Sequence, residues 1–151
     1  MINHFLPRQA DNTYPGRKLA LWIFTLVLLM LAAMSVNSIF NGHSIAVNAD
    51  GLPLDTYTPA GAQAVVSFYA IWGVTQLVIV LFGVIALVRY RALVPLVLAL
   101  LLLEQLLLRV IDYFLPIAKP HGVPASWFVI LLLALMVLGL VLSLWRRRVE
   151  P

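Results

Sequence analysis

Four apolar runs, at residues 19–40, 64–88, 92–115 and 126–145, constrain this chain more than any other feature. The hydrocarbon core of a bilayer is crossed by about 20 helical residues, and each run reaches that length. Backbone polar groups in hydrocarbon must bond internally, so runs of this kind fold as helices. The expected fold is therefore an all-α membrane protein. It has one transmembrane domain over residues 1–151, with four helices in an antiparallel bundle. Composition agrees. The chain is 63% hydrophobic and 11% charged, whereas roughly a quarter of a soluble domain is charged.

The same composition excludes several functions. With no cysteine, the chain has no disulfide, thiolate nucleophile, Cys-ligated zinc, iron–sulfur cluster or CxxCH haem attachment. The net charge of +4 does not imply nucleic acid, because the basic residues sit at the ends of the apolar runs, as membrane topology requires. Arg8, Arg17 and Lys18 precede the first run, Arg89 and Arg91 separate the second from the third, and Arg146, Arg147 and Arg148 follow the fourth. The opposite side holds Lys119, with Asp50 and Asp55. The positive-inside rule then gives a multi-pass protein of the bacterial inner membrane with both termini cytoplasmic. Trp127 and Trp145 bracket the fourth run as interfacial anchors. Cleavage of the first run as a signal peptide, near Ala33 or Ser35, is the rival, but its apolar core would exceed the usual ~7–15 residues.

The connecting segments are less constrained. Residues 1–18, broken by Pro7, Pro15 and Gly16, read as a short flexible tail, with Phe5 and Leu6 able to dip into headgroups. In the 41–63 loop, Asp50-Gly51 lies between Ser44–Ala49, which alternates weakly, and Leu52–Tyr57. That pattern predicts a small β-hairpin in the first periplasmic loop, with an irregular loop as the alternative. Asn48, Asp50 and Asp55 lack the twelve-residue calcium pattern.

The third run carries the polar groups. Ionisable residues at membrane depth are costly unless paired or hydrated, and mark function or helix association. By helical phase, Gln105, Arg109 and Asp112 fall within about 60° of arc, with Glu104 farther round. By helical rise, Arg109 lies roughly 9 Å and Glu104 roughly 16 Å in from Leu115. On the second run Tyr69, Trp72 and Gln76 lie roughly 6, 10 and 16 Å deep, and Asn37 of the first lies roughly 6 Å deep. These eight residues form the candidate polar cluster, in the outer half of the bundle. Arg109 is expected to pair with Asp112 and to reach Trp72 or Gln76, while Glu104 faces the interior. The short 89–91 turn makes the second and third spans antiparallel neighbours.

Two readings of the cluster stand side by side. It is either structural glue between helices or a polar cavity that binds a headgroup, a small polar solute or a proton. The second acid favours the cavity, since one would neutralise Arg109. His43 and His121 fall short of a zinc ligand set, so neither metal nor cofactor is expected. Gly139 and Ser143 make a small-xxx-small pair. No phosphate loop, GxSxG elbow, HExxH or convincing internal repeat is present.

Between Phe68 and Pro116, the segment Tyr69-Ala70-Ile71-Trp72-Gly73, the basic turn at 89–91 and Arg109-Val110-Ile111-Asp112 resemble small bacterial four-helix membrane proteins of the DoxX-like kind. The resemblance implies the four-helix fold; members of such families often lack a defined activity. The longer first loop departs from that pattern. The expected function is a non-enzymatic membrane component, either a subunit of a larger complex or the binder of a small amphiphile. Its partners are the bilayer, a protein or second copy, or a lipid or quinone-like ligand. A small carrier or proton-coupled permease using Glu104 and Arg109 ranks second, and an intramembrane enzyme third.

Overall fold

A computed structural model describes residues 11, 12, 14, 16–116 and 127–145. The remainder of the amino tail, the 117–126 segment with Lys119 and His121, and Arg146-Arg147-Arg148 lie outside the described residues. The described chain folds into four long helices: α1 (Lys18–Phe40), α2 (Pro59–Arg89), α3 (Val94–Phe114) and α4 (Trp127–Leu144). All four are long and apolar enough to cross a bilayer, so this is a multi-pass membrane architecture.

Local chemistry sets the helix limits. The Thr58 hydroxyl accepts the Gly61 N–H at 3.1 Å and Pro59 takes the first turn, satisfying one orphan donor and pre-setting φ. α2 therefore starts five residues before its apolar run. Its 31 residues measure roughly 46 Å, longer than the roughly 30 Å of a hydrocarbon core. A 3-10 turn at Arg91–Leu93 separates α2 from α3, and Pro95 lies in the first turn of α3, where its missing N–H costs nothing.

The helices run alternately up and down. At one end, here called the turn end, lie the start of α1, the 89–91 turn and the end of α4. At the other, the loop end, the 41–58 loop caps α1 and α2. Helix α1 is central, packing along α2 on one side and α4 on the other. α3 packs on α4, whereas α2 and α3 touch much less. Small residues account for this arrangement. A Cβ on Gly73 would stand 2.8 Å from the Ser35 carbonyl oxygen and 2.9 Å from Ile39 Cγ1, so α2 lies backbone to backbone on α1, the usual way membrane helices pack closely. Buried residues follow helical spacing: Gly73, Gln76, Val80, Gly83 and Ala86 on α2, Leu98, Leu101 and Gln105 on α3, and Leu132, Met136, Gly139 and Ser143 on α4. They enclose Phe24, Val27, Leu28 and Leu31 of α1.

Two expectations are corrected. The 41–58 loop is not a β-hairpin, and no strand occurs among the described residues. A helical turn at Gly42–Ser44 runs into a π-helical turn at Ile45–Ala49, which ends at Gly51 with φ 67°. The Asp50 N–H reaches the Ile45 carbonyl and the Leu52 N–H reaches the Ala46 carbonyl. A positive φ serves a helix C-terminus as well as a hairpin turn, which is why Asp-Gly misleads here. Ala46, Leu52 and Leu54 are buried against Ala62, Val65, Val66 and Tyr69, tying the cap to the start of α2.

The second correction concerns the amino tail, whose described part is a packed strap. The Ala92 N–H donates to the Asp11 carbonyl at 3.3 Å, the Tyr14 hydroxyl to Ser143 Oγ at 2.9 Å and the Arg17 N–H to the Leu142 carbonyl at 3.3 Å. The Arg17 guanidinium lies 5.0 Å above the Trp145 ring, a cation–π contact. Gly16 is buried, and a Cβ there would stand 2.5 Å from the Ser143 carbonyl oxygen. Burial pushes the Tyr14 phenol above its ordinary pKa, and the Ser143 bond partly opposes that.

Candidate functional site: the splayed loop end

Burial does not extend evenly along the bundle. On α3 it stops at Gln105, and every residue from Leu106 to Phe114 is exposed or half-buried. On α4 it begins at Leu132, with none of Trp127–Leu131 buried. The α1–α2 pair stays packed to its cap through Ser35, Ser38, Gly42 and Gly73. The loop end therefore splays, with α1–α2 and their cap on one side and the ends of α3 and α4 on the other.

The polar residues of α3 begin where its neighbours end. Arg109 and Asp112 share the face of Leu98, Leu101 and Gln105 to within about 80°. Those three are buried, so helical phase turns Arg109 and Asp112 toward the same side. There they remain open, with side chains 46% and 61% exposed. Arg109 Nη1 donates to Asp112 Oδ2 at 3.1 Å. Among the described residues no hydrogen bond joins Arg109 to Trp72 or Gln76, contrary to that expectation. One carboxylate oxygen occupies one of the five N–H donors of a guanidinium, so the fork keeps capacity for another anion.

Below the ion pair, Gln76 Nε2 of α2 approaches Glu104 Oε2 of α3 at 3.5 Å, a long and hence weak hydrogen bond. Gln76 is 2% exposed and Gln105 4%, while Glu104 is half-buried. This contact bridges α2 and α3, which otherwise touch little. The other sequence-derived residues lie apart from it. The Tyr69 hydroxyl donates to Asp50 of the cap, Asn37 accepts from Asn41 Nδ2 at 2.8 Å on an exposed face, and Trp72 is half-buried. The eight residues thus divide into the Glu104–Gln76 bridge with Gln105 beside it, the Arg109–Asp112 pair, and the separate Tyr69, Trp72 and Asn37 positions.

Sequence reasoning missed the Asp50–Tyr69 link and the Tyr14–Ser143 bond. Both join residues far apart in the chain, and no local pattern announces them. Gly139 and Ser143 are buried within the chain, Gly139 beside Ile23 and Ser143 beneath Tyr14. His43 is exposed. Chemically, the splayed face offers one guanidinium and two carboxylates spread over roughly 12 Å of helix, beside apolar side chains. That set can recognise charge. Compared with known proteins, the chain matches no family model, no curated protein and no solved structure.

Proposed function

We propose that this is a non-enzymatic protein of the bacterial inner membrane, with both termini cytoplasmic, that binds a small amphiphile at the splayed loop end. One observation carries the reading. The face of α3 that packs the bundle continues past Gln105 as Arg109 and Asp112, while the neighbouring helices no longer cover it. An ion pair left open at membrane depth needs water, a headgroup or a polar partner to be tolerated. The excess of basic residues flanking the turn end supports a cytoplasmic turn end under the positive-inside rule, with the splayed end on the periplasmic side in this reading. Docking of a partner subunit at the same face is the second form of this reading.

The absence of cysteine allows a direct test by single substitutions. Arg109→Cys and Asp50→Cys should react with a membrane-impermeant maleimide added from the periplasm, Arg91→Cys only from the cytoplasm, and Leu101→Cys from neither. Labelling at Asp50→Cys with none at Arg109→Cys would show that the face is closed. A carrier function would rest instead on Glu104, an acid facing the neutral Gln76. Proton-coupled uptake abolished by Glu104→Gln in a protein of unchanged stability would favour it.

A further inference from the structure

Among the described residues, the cations gather at the turn end. Arg17, Lys18, Arg89 and Arg91 lie there, all exposed, and none of the four makes an ion pair with another described residue. Asp11 is the one acid among the described residues at this end. The two pairs of cations are placed differently. Arg89 and Arg91 stand at the C-terminal end of α2, whose last carbonyls offset positive charge, and Arg91 Nε donates to the Leu87 carbonyl at 3.2 Å. Arg17 and Lys18 open α1, whose first turn holds no acid. The Arg17 guanidinium lies 5.0 Å above the Trp145 ring. Stacking of that kind fixes the group and leaves its N–H edge for an anion.

Depth and surroundings identify the anion. Arg17 and Lys18 sit where the span of α1 begins, the level of lipid headgroups. Below Lys18 on α1, Trp22 and Leu29 fall within about 40° of it and are 74% and 63% exposed. Below Trp145 on α4, Val141 and Leu138 share its face within about 60° of arc and are exposed as well. Each cation therefore stands at the head of a helix face that the bundle leaves to lipid. A soluble anion would meet the cations and gain nothing from those faces. A phospholipid meets both with one molecule. A zwitterionic headgroup carries its own cation beside the phosphate, so the attraction favours a headgroup of net negative charge.

We propose that Arg17 and Lys18 bind the phosphate of an anionic phospholipid at the turn end, with its acyl chains along the exposed faces of α1 and α4. Trp145 positions the guanidinium, and the strap, tied to α4 through the Arg17 N–H and the Tyr14 hydroxyl, keeps it there. This site is separate from the splayed end and independent of what that end binds.

The test is native mass spectrometry of the full chain in detergent, titrated with equal amounts of phosphatidylglycerol and phosphatidylethanolamine of matched acyl chains, with thermal stability recorded for each variant. The wild type should retain phosphatidylglycerol preferentially. Arg17→Gln and Lys18→Gln should each lower its retention roughly fivefold, the effect of one cation at an anionic headgroup, and leave phosphatidylethanolamine unchanged. Lys18 is exposed, so its replacement leaves the fold intact. Trp145→Leu keeps every charge but releases the guanidinium, and should weaken the preference too. Equal retention of the two lipids by the wild type overturns the assignment. So does a preference that survives undiminished in Lys18→Gln, or one lost instead in Arg109→Gln or in the paired Arg89→Gln and Arg91→Gln variant. An unchanged preference in Trp145→Leu would trace it to diffuse charge and overturn the site. Displacement of the lipid by an equimolar amount of inorganic phosphate would mark a free-anion site, with the same consequence.

Discussion

The contact between α1 and α2 can be probed with three alanine substitutions whose backgrounds nearly cancel. Gly73, Gly83 and Gly139 are buried within long helices, so each Gly→Ala change gains a similar helix propensity, up to ~1 kcal/mol. The obstacles differ. At Gly73 the new Cβ meets the Ser35 carbonyl oxygen at 2.8 Å and the Ile39 amide nitrogen at 3.1 Å. Those are backbone atoms, which move only if α1 moves. At Gly83 the obstacle is the end of the Leu28 side chain, which can rotate. At Gly139 the nearest atom is Ile23 Cγ2 at 3.1 Å, with Leu98 at 3.6 Å. Forcing two helices apart costs typically ~1–3 kcal/mol, and a displaced rotamer about 0.5–1.5 kcal/mol. Gly73→Ala should therefore be the most destabilising of the three, by up to about 2 kcal/mol net, with Gly83→Ala close to neutral and Gly139→Ala neutral to slightly stabilising. Reversible unfolding of the purified chain in mixed micelles, titrated with a denaturing detergent, reads the order. A Gly73→Ala variant as stable as Gly139→Ala would falsify the backbone-to-backbone packing of α1 and α2.

Three further outcomes follow from the same packing. Thr58→Ala removes the cap of the Gly61 N–H and should cost ~0.5–2 kcal/mol, with faster amide exchange at Gly61 and Ala62. Asp112→Ala should cost only ~0–1 kcal/mol in the same unfolding assay, because the pair is open rather than enclosed; a loss of ~3–5 kcal/mol would indicate a buried pair. For Tyr14, a folded pKa above the ordinary 10.0 means its contribution is complete below pH 10 and declines as pH rises through the folded value. Protease cleavage near the strap should accordingly increase under alkaline conditions in the wild type, and Tyr14→Phe, which cannot ionise, should lack that increase.

Much of the architecture is legible in the residues. Each apolar run had to become a helix, since no other open segment satisfies its backbone in hydrocarbon. The signal for the early start of α2 was also present, as Thr58-Pro59 is a cap followed by a first-turn proline; counting apolar residues alone placed the start at Ala64. Asp50-Gly51 was ambiguous in principle, because a residue at positive φ closes either a hairpin or a helical turn. What resolved it was burial of Ala46, Leu52 and Leu54 on the start of α2, which no local pattern contains.

The candidate site divides along the same line. Helical phase and rise are properties of one helix, so they placed Gln105, Arg109 and Asp112 on one face and set Gln76 level with Glu104. Whether that face is covered depends on other helices. The short turn at 89–91 makes α2 and α3 sequence neighbours, yet α2 packs far more closely on α1, where Gly73 lets backbones meet. Burial ends at Gln105, and the strap over Ser143 takes up a serine that the sequence offers equally well to a partner helix. Hydropathy acts residue by residue against the lipid and so determines which segments become helices. Between those helices lipid gives no hydrophobic preference, and close approach and pairwise hydrogen bonds decide the neighbours.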